Sequence, residues 1–153
     1  MRARWTRIVI VAAMLIVLVA VNGSIVAKER IKTHGERIYL ALAPVDPRSL
    51  MQGDYMALRF ALASDISTEA SGAAPLAVDE KGVARFSRSP EAAKLRIRYR
   101  VRNGQVWLGT NAYFFEEGSA ARYDHARYGE FRVDRDTGEA VLVALRDAEF
   151  GKL

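Results

Sequence analysis

From Ile8 to Ala27 the chain carries no charge. The run is apolar through Val21, is interrupted by Asn22-Gly23-Ser24, and resumes as Ile25-Val26-Ala27 before Lys28, Glu29 and Arg30. About 20 residues rise about 30 Å as a helix, the thickness of a bilayer's hydrocarbon core. Trp5 sits where an interfacial aromatic would anchor the headgroup side. Such a segment constrains everything after it: it spans a membrane, is cleaved as a signal peptide, or is buried. A signal peptide has a shorter apolar core followed by small residues at its cleavage site, which Val21-Asn22-Gly23 and Ile25-Val26-Ala27 match poorly. The reading adopted is a retained anchor, with residues 1–7 as a cytoplasmic N-terminus, 8–27 as a transmembrane helix, 28–36 as a charged stalk or helical continuation, and 37–153 as one folded domain.

Charge then belongs to the anchor. The formal net charge is +5, from 23 basic and 18 acidic residues; Arg2, Arg4 and Arg7 precede the apolar run without an acid, so the remainder stands at 20 against 18. A domain so close to neutral lacks the concentrated basic excess that phosphate neutralisation requires, and nucleic acid is not expected as a partner. Lys28, Arg30, Lys32 and Arg37 nearly balance the three arginines, so orientation rests on two other tendencies: long domains translocate largely regardless of charge, and a short basic segment stays in the cytoplasm. That favours an N-in, C-out single-pass protein. The absence of cysteine excludes disulfides, thiolate metal sites and a cysteine nucleophile. Roughly 125 residues can still bury one core without them.

Period-two patterning dominates after Arg37. Ile38, Leu40 and Leu42 alternate with Tyr39, Ala41 and Ala43 as a strand covered on both faces, ended by Pro44. Asp46-Pro47-Arg48-Ser49 has turn chemistry, and Gly53 permits a positive φ at the entrance to a strand whose Met56, Leu58, Phe60 and Leu62 share a face. These two strands are expected to be antiparallel neighbours. Ala61 to Ala74 supports a surface loop or short helix. Leu76-Ala77-Val78 and Val83-Ala84-Arg85-Phe86 flank Asp79-Glu80-Lys81-Gly82 as a hairpin, and Asn103-Gly104 joins the alternating run Leu95 to Arg102 to Gln105-Val106-Trp107-Leu108 as another. Ser119 to Tyr128 is predicted as one short helix, capped by Ser119 and stopped at Gly129. Glu130 to Asp134 and Glu139 to Leu145 form a last hairpin, and the second of these strands, nearly all apolar, is expected in the sheet centre. The fold class predicted is mostly β: a small antiparallel β-sandwich or partly open barrel with one short helix, plus one N-terminal transmembrane helix.

Gly53-Asp54-Tyr55-Met56-Ala57-Leu58-Arg59-Phe60 resembles the signature of the bacterial GDYXXLXY family, named for its sequence pattern rather than for an activity. Phe60 stands where the pattern has tyrosine. Phe114-Phe115-Glu116-Glu117-Gly118, Tyr123 and Tyr128-Gly129-Glu130-Phe131-Arg132-Val133 look like the family's second characteristic region. The resemblance implies a membrane-tethered extracytoplasmic domain in the bacterial inner membrane, facing the periplasm or cell exterior and partnering a membrane protein.

Three constellations are candidates for function. Asp54 with Tyr55 pairs a carboxylate with a phenol, which suits acid/base work or ligand binding; as turn and packing residues the same two need no chemistry. His125 with Tyr123, Asp124 and Tyr128 suits a contact surface. With only two histidines in the chain, no metal is expected. Arg96, Arg98, Arg100 and Arg102 put four guanidinium groups on one face of one strand, able to meet anionic headgroups, an acidic partner or a phosphorylated ligand. Neighbouring acids such as Glu116, Glu117, Asp134 and Glu139 would balance them if the face were merely solvated. No phosphate loop, nucleotide fingerprint or nucleophile elbow is present, so no cofactor and no catalytic residue is assigned. The sequence therefore reads as a non-enzymatic accessory or interaction module. The competing reading is an envelope enzyme or small-ligand binder that brings Asp54, Tyr55 and His125 into one cleft.

Overall fold

The computed structural model describes residues 2–43, 51–52, 55–91 and 93–153. A single helix, α1 (Arg2–His34), contains the whole apolar run. Asn22 and Ser24 remain helical because their side chains turn back onto it: Asn22 Nδ2 donates to Leu18 O and Ser24 Oγ to Val21 O, both at 2.8 Å. Polar groups satisfied within the helix are compatible with lipid. Residues 5–30 are all exposed, and α1 is long and apolar enough to cross a membrane. The charged residues after the run are its last turns, not a separate stalk. Ile31 is buried there against the domain.

The domain is mostly β. Among the described residues its strands number ten: β1 (Glu36–Ala41), β2 (Met51–Gln52), β3 (Tyr55–Ala57), β4 (Gly72–Val78), β5 (Ala84–Phe86), β6 (Leu95–Arg102), β7 (Gln105–Trp107), β8 (Ala112–Phe114), β9 (Tyr128–Val133) and β10 (Ala140–Arg146). They form three antiparallel sheets, ordered β1-β9-β10, β2-β3-β8 and β5-β4-β6-β7, which include a half-barrel. Two links join the first sheet to the third. Tyr39 N donates to Gly82 O at 2.9 Å on one side, and Arg98 N to Gly138 O at 2.7 Å on the other, where the β9–β10 turn meets β6 beyond the end of β7. Ile38, Leu40, Leu58, Leu76, Ile97, Leu108, Phe131, Val133 and Leu145 are fully buried and cluster with Met56 of β3, 2% exposed, so all three sheets and their connections supply one core.

The hairpin signals act as expected. Gly82 has φ 84°, and Asp79 Oδ1 accepts from Lys81 N and Val83 N, which fixes the β4–β5 turn. Asn103 and Gly104 both take positive φ, 51° and 70°, and pair Arg102 with Gln105. Strand β4 begins earlier than Leu76 and accommodates Pro75. The Pro75 carbonyl accepts from Ser87 N just past the last β4–β5 rung, so the missing N–H costs one bond at the end of that edge.

Four expectations are corrected. First, β1 pairs with β9 along its whole length, whereas β3 pairs with β2 and β8; among the described residues, a bridge from Leu42, just past β1, to Phe60, just past β3, joins the two segments. Second, that segment leaves the strand after Ala57 and forms a 3-10 turn, Ala61–Asp65. Met56, Leu58, Phe60 and Leu62 are nonetheless all buried, the face their alternation predicts. Third, the helix after Ser119 spans only Ala120–Tyr123. Ser119 Oγ donates to Glu116 O at 2.5 Å instead of capping, and Tyr128 and Gly129 belong to β9. Fourth, β9 is the central strand and β10 lies at the edge. The apolar character of β10 reflects other cover: α1 packs on β9 and β10, and Leu153 N donates to Leu145 O at 3.2 Å. The expectations for Pro44, the Asp46 to Ser49 turn, Gly53 and Asp54 lie outside the described residues.

Candidate functional site

Alternation along β6 buries Leu95 and Ile97 and exposes Arg96, Arg98, Arg100 and Arg102 on the opposite face. Because the two-residue turn fixes the register, Arg100 lies opposite Trp107 and Arg102 opposite Gln105. The Arg102 guanidinium sits 5.7 Å from the centre of the Trp107 ring system. Of the four acids expected to balance the ladder, Glu139 alone pairs with it among the described residues, through Arg98 Nη1 at 3.7 Å. Lys28, the first residue after the apolar run, donates to Glu139 Oε2 at 2.7 Å. That hydrogen bond holds the Glu139 carboxyl below its ordinary value; partial burial opposes, and the charges of Lys28, Arg98 and Arg100 add to the depression.

These residues border a cleft of about 590 Å³ between β6–β7 and the start of β10. Its basic lining is Lys28, Arg98, Arg100 and Arg102; its apolar lining is Trp107, next to Arg100 on the neighbouring strand, and Ala140, Val141 and Leu142 of β10. Gly109 also lines it, and a Cβ there would lie 2.9 Å from Ala140 O, so glycine lets the β7 exit approach β10. Glu139 was expected beside the ladder, whereas Lys28 and Trp107 as cleft partners were not singled out from sequence. A signal existed for Trp107, since the Asn-Gly turn sets it opposite Arg100. None existed for Lys28, which reaches Glu139 across 111 positions of chain.

The remaining predicted residues are dispersed. Tyr123 is 7% exposed, stacked on Phe115 at 5.1 Å and edge-on to Tyr113 at 5.3 Å. Burial, then the hydrogen bond to Tyr123, raises the Tyr113 hydroxyl above its ordinary value, with Arg122 opposing. His125 is exposed, and Tyr128 stacks on Phe150 at 4.8 Å. Tyr55 is half-buried, 5.7 Å from the exposed ring of Phe114, while Asp54 lies outside the described residues. Among the described residues no three His, Asp or Glu side chains converge in a way that could hold a metal ion.

Residues 17–145 match the model of the GDYXXLXY protein family. The chain belongs to the GDYXXLXY family. The match begins inside α1 and runs into β10, so half of the apolar helix and nearly all of the β domain lie within the family's own extent. Of the motif positions described, Leu58 and Phe60 are 1% and 4% exposed. Phe60 meets Phe131 edge-on at 5.2 Å, where its departure from the GDYXXLXY tyrosine leaves no hydroxyl to satisfy. No curated protein and no solved structure matches the chain.

The same β9 and β10 hold a polar pair not foreseen from sequence. Glu130, 3% exposed, accepts from Arg146 Nε at 2.7 Å and from Arg146 Nη2, while Arg146 Nη1 donates to Phe150 O at 3.2 Å. The signal was the one acid of β9, two residues from the β9 position that Arg146 at the end of β10 pairs with.

Proposed function

We propose that this chain is a membrane-anchored interaction module of the bacterial inner membrane that works by contact rather than by chemistry. In this reading α1 is a single-pass anchor with Arg2, Arg4 and Arg7 on the cytoplasmic side, and the β domain stands in the periplasm or outside the cell. The contact surface is the strand face of Arg96, Arg98, Arg100 and Arg102, and the partner is a membrane protein presenting acidic groups to it. One observation carries the reading: four exposed guanidinium groups share a face on which Glu139 is the single ion-paired acid among the described residues. Fixed, exposed charges of one sign select partners of the other sign and raise encounter rates.

The test is crosslinking in native membranes followed by recovery of the tagged chain. Replacing Arg96, Arg98 and Arg100 together by glutamine is expected to reduce recovery of the crosslinked membrane protein by about tenfold or more, since each desolvated charge pair contributes of order 1 kcal/mol or more. Undiminished recovery from a normally inserted variant would remove the arginine face from the contact. Protease applied from outside spheroplasts is expected to degrade the β domain and leave the α1 fragment in the membrane. Protection of the domain would reverse the orientation.

A further inference from the structure

The cleft beside the anchor has the composition of a lipid-headgroup site. Four cations, Lys28, Arg98, Arg100 and Arg102, share the cleft with one carboxylate, Glu139, and its apolar lining is Trp107, beside Arg100 and under Arg102, with Ala140, Val141 and Leu142 of β10. An occupant must be anionic at one end and apolar at the other.

Position selects among such occupants. The apolar run ends at Ala27, and Lys28, one residue of helical rise or about 1.5 Å further along, is both a cleft wall and the helix's tie to Glu139. The helix is not free to swing away. Ile31 in its last turns is buried and α1 packs on β9 and β10, and just past its end Gly35 O accepts from Arg132 Nη1 at 3.3 Å and Arg135 Nε donates to Glu36 Oε2 at 2.5 Å. With α1 in a bilayer, its tie to the domain therefore holds the cleft at the depth where hydrocarbon gives way to phosphate.

We infer that this cleft binds the headgroup of an anionic phospholipid from the leaflet at which α1 emerges into the domain. The phosphodiester lies among Arg98, Arg100 and Arg102, where planar guanidinium groups take two phosphate oxygens at once, and the glycerol end of the acyl chains runs along Trp107 and Leu142. Lys28 keeps its bond to Glu139 and contributes field. Arg96 does not border the cleft and takes no part. The inference rests on α1 as a membrane anchor, and neither on a partner protein nor on which compartment holds the domain.

The test uses the purified full chain in detergent, with retained lipid counted by native mass spectrometry during titration with phosphatidylglycerol or phosphatidylcholine. One phosphatidylglycerol is expected to be retained in preference to phosphatidylcholine. Exchanging Arg100 and Arg102 together for glutamine is expected to weaken that retention roughly thirtyfold, from two cations each contributing near the surface. Arg96→Gln should bind as the native chain does. Equal retention of the two lipids, equal loss in Arg96→Gln and in the double variant, or displacement of the lipid by inorganic phosphate at matched concentration would each overturn the site, the last assigning it to a soluble anion. An unchanged thermal midpoint for the double variant, whose replaced side chains are exposed, shows that any loss is of binding and not of folding. No partner protein is present, so a negative result here leaves the crosslinking reading intact, and a negative crosslinking result leaves this one intact.

Discussion

The ring of Phe60 occupies the space that a side chain at Gly129 would need. A Cβ built on Gly129 lies 2.9 Å from Phe60 Cε1, and 3.1 Å from both Leu142 Cδ1 and Phe131 Cε2. The last motif position and the central strand of the β1-β9-β10 sheet are thus shaped to each other. Phe60 cannot yield, because Phe131 packs on its edge at 5.2 Å. Gly129→Ala is expected to destabilise the domain by about 1–3 kcal/mol through overpacking. Phe60→Leu should offset part of that loss when the two are combined. Thermal unfolding of the full chain in detergent micelles reads the coupling; strictly additive effects would show that the two positions do not share the space.

Glu130 and Arg146 predict a different kind of non-additivity. Arg146→Met leaves a carboxylate that is 3% exposed without its counter-charge and is expected to cost about 3–5 kcal/mol. Pairing it with Glu130→Leu removes the orphaned charge, and stability should return to within about 1 kcal/mol of the native chain. The double variant also loses the Arg146 bond to Phe150 O, so cleavage within residues 147–153 by limited proteolysis should remain faster than native. A double variant no more stable than Arg146→Met would show that the pair's worth lies elsewhere than in charge compensation.

What could be read from the sequence was local, and what could not was long-range. The apolar run gave α1, alternation gave the arginine face, and Asn103-Gly104 gave the β6–β7 register, because each is decided within a few residues. The pairing of β1 with β9 joins Ile38 to Phe131 and has no local signal. The apolar run of β10 reported that both faces are covered but not that α1 and the C-terminal turn do the covering, so an edge strand read as a central one. Tyr123 and Tyr128 read as parts of one helix because the composition from Ser119 to Tyr128 suits one; the chain enters β9 at Tyr128, and the two rings pack on Phe115 and Phe150 respectively. The cleft was half legible: β6 and Trp107 follow from register, whereas Lys28 and Glu139 meet only through the docking of α1.

Gly104 offers a backbone test free of packing effects. It has φ 70°, and no atom lies within 4 Å of a Cβ built on it. Gly104→Ala is therefore expected to cost about 1–2 kcal/mol from left-handed strain alone. Asn103, at φ 51°, should tolerate Asn103→Gly with little change, since glycine accepts the same region. A Gly104→Ala midpoint equal to the native one would mean that the β6–β7 turn relaxes to another type.

The two lowered carboxyls near α1 set an acid limit on stability. The Thr137 amide and hydroxyl bonded to Asp134 hold it below its ordinary 3.8, and Lys28 holds Glu139 below its ordinary 4.5. A carboxyl depressed in the folded state contributes its full stabilisation above its unfolded value and loses it as pH falls through the folded one. Thermal midpoints in micelles should therefore hold level in the contribution of these two groups down to about pH 4.5 and fall below it. Glu139→Gln should begin lower at neutral pH and flatten the acid limb, because the proton taken up on unfolding is gone. Lys28→Gln should flatten it too, by removing the largest cause of the Glu139 shift while leaving the carboxyl in place. If Glu139→Gln flattens the limb and Lys28→Gln does not, the tie between α1 and β10 is not what depresses this carboxyl.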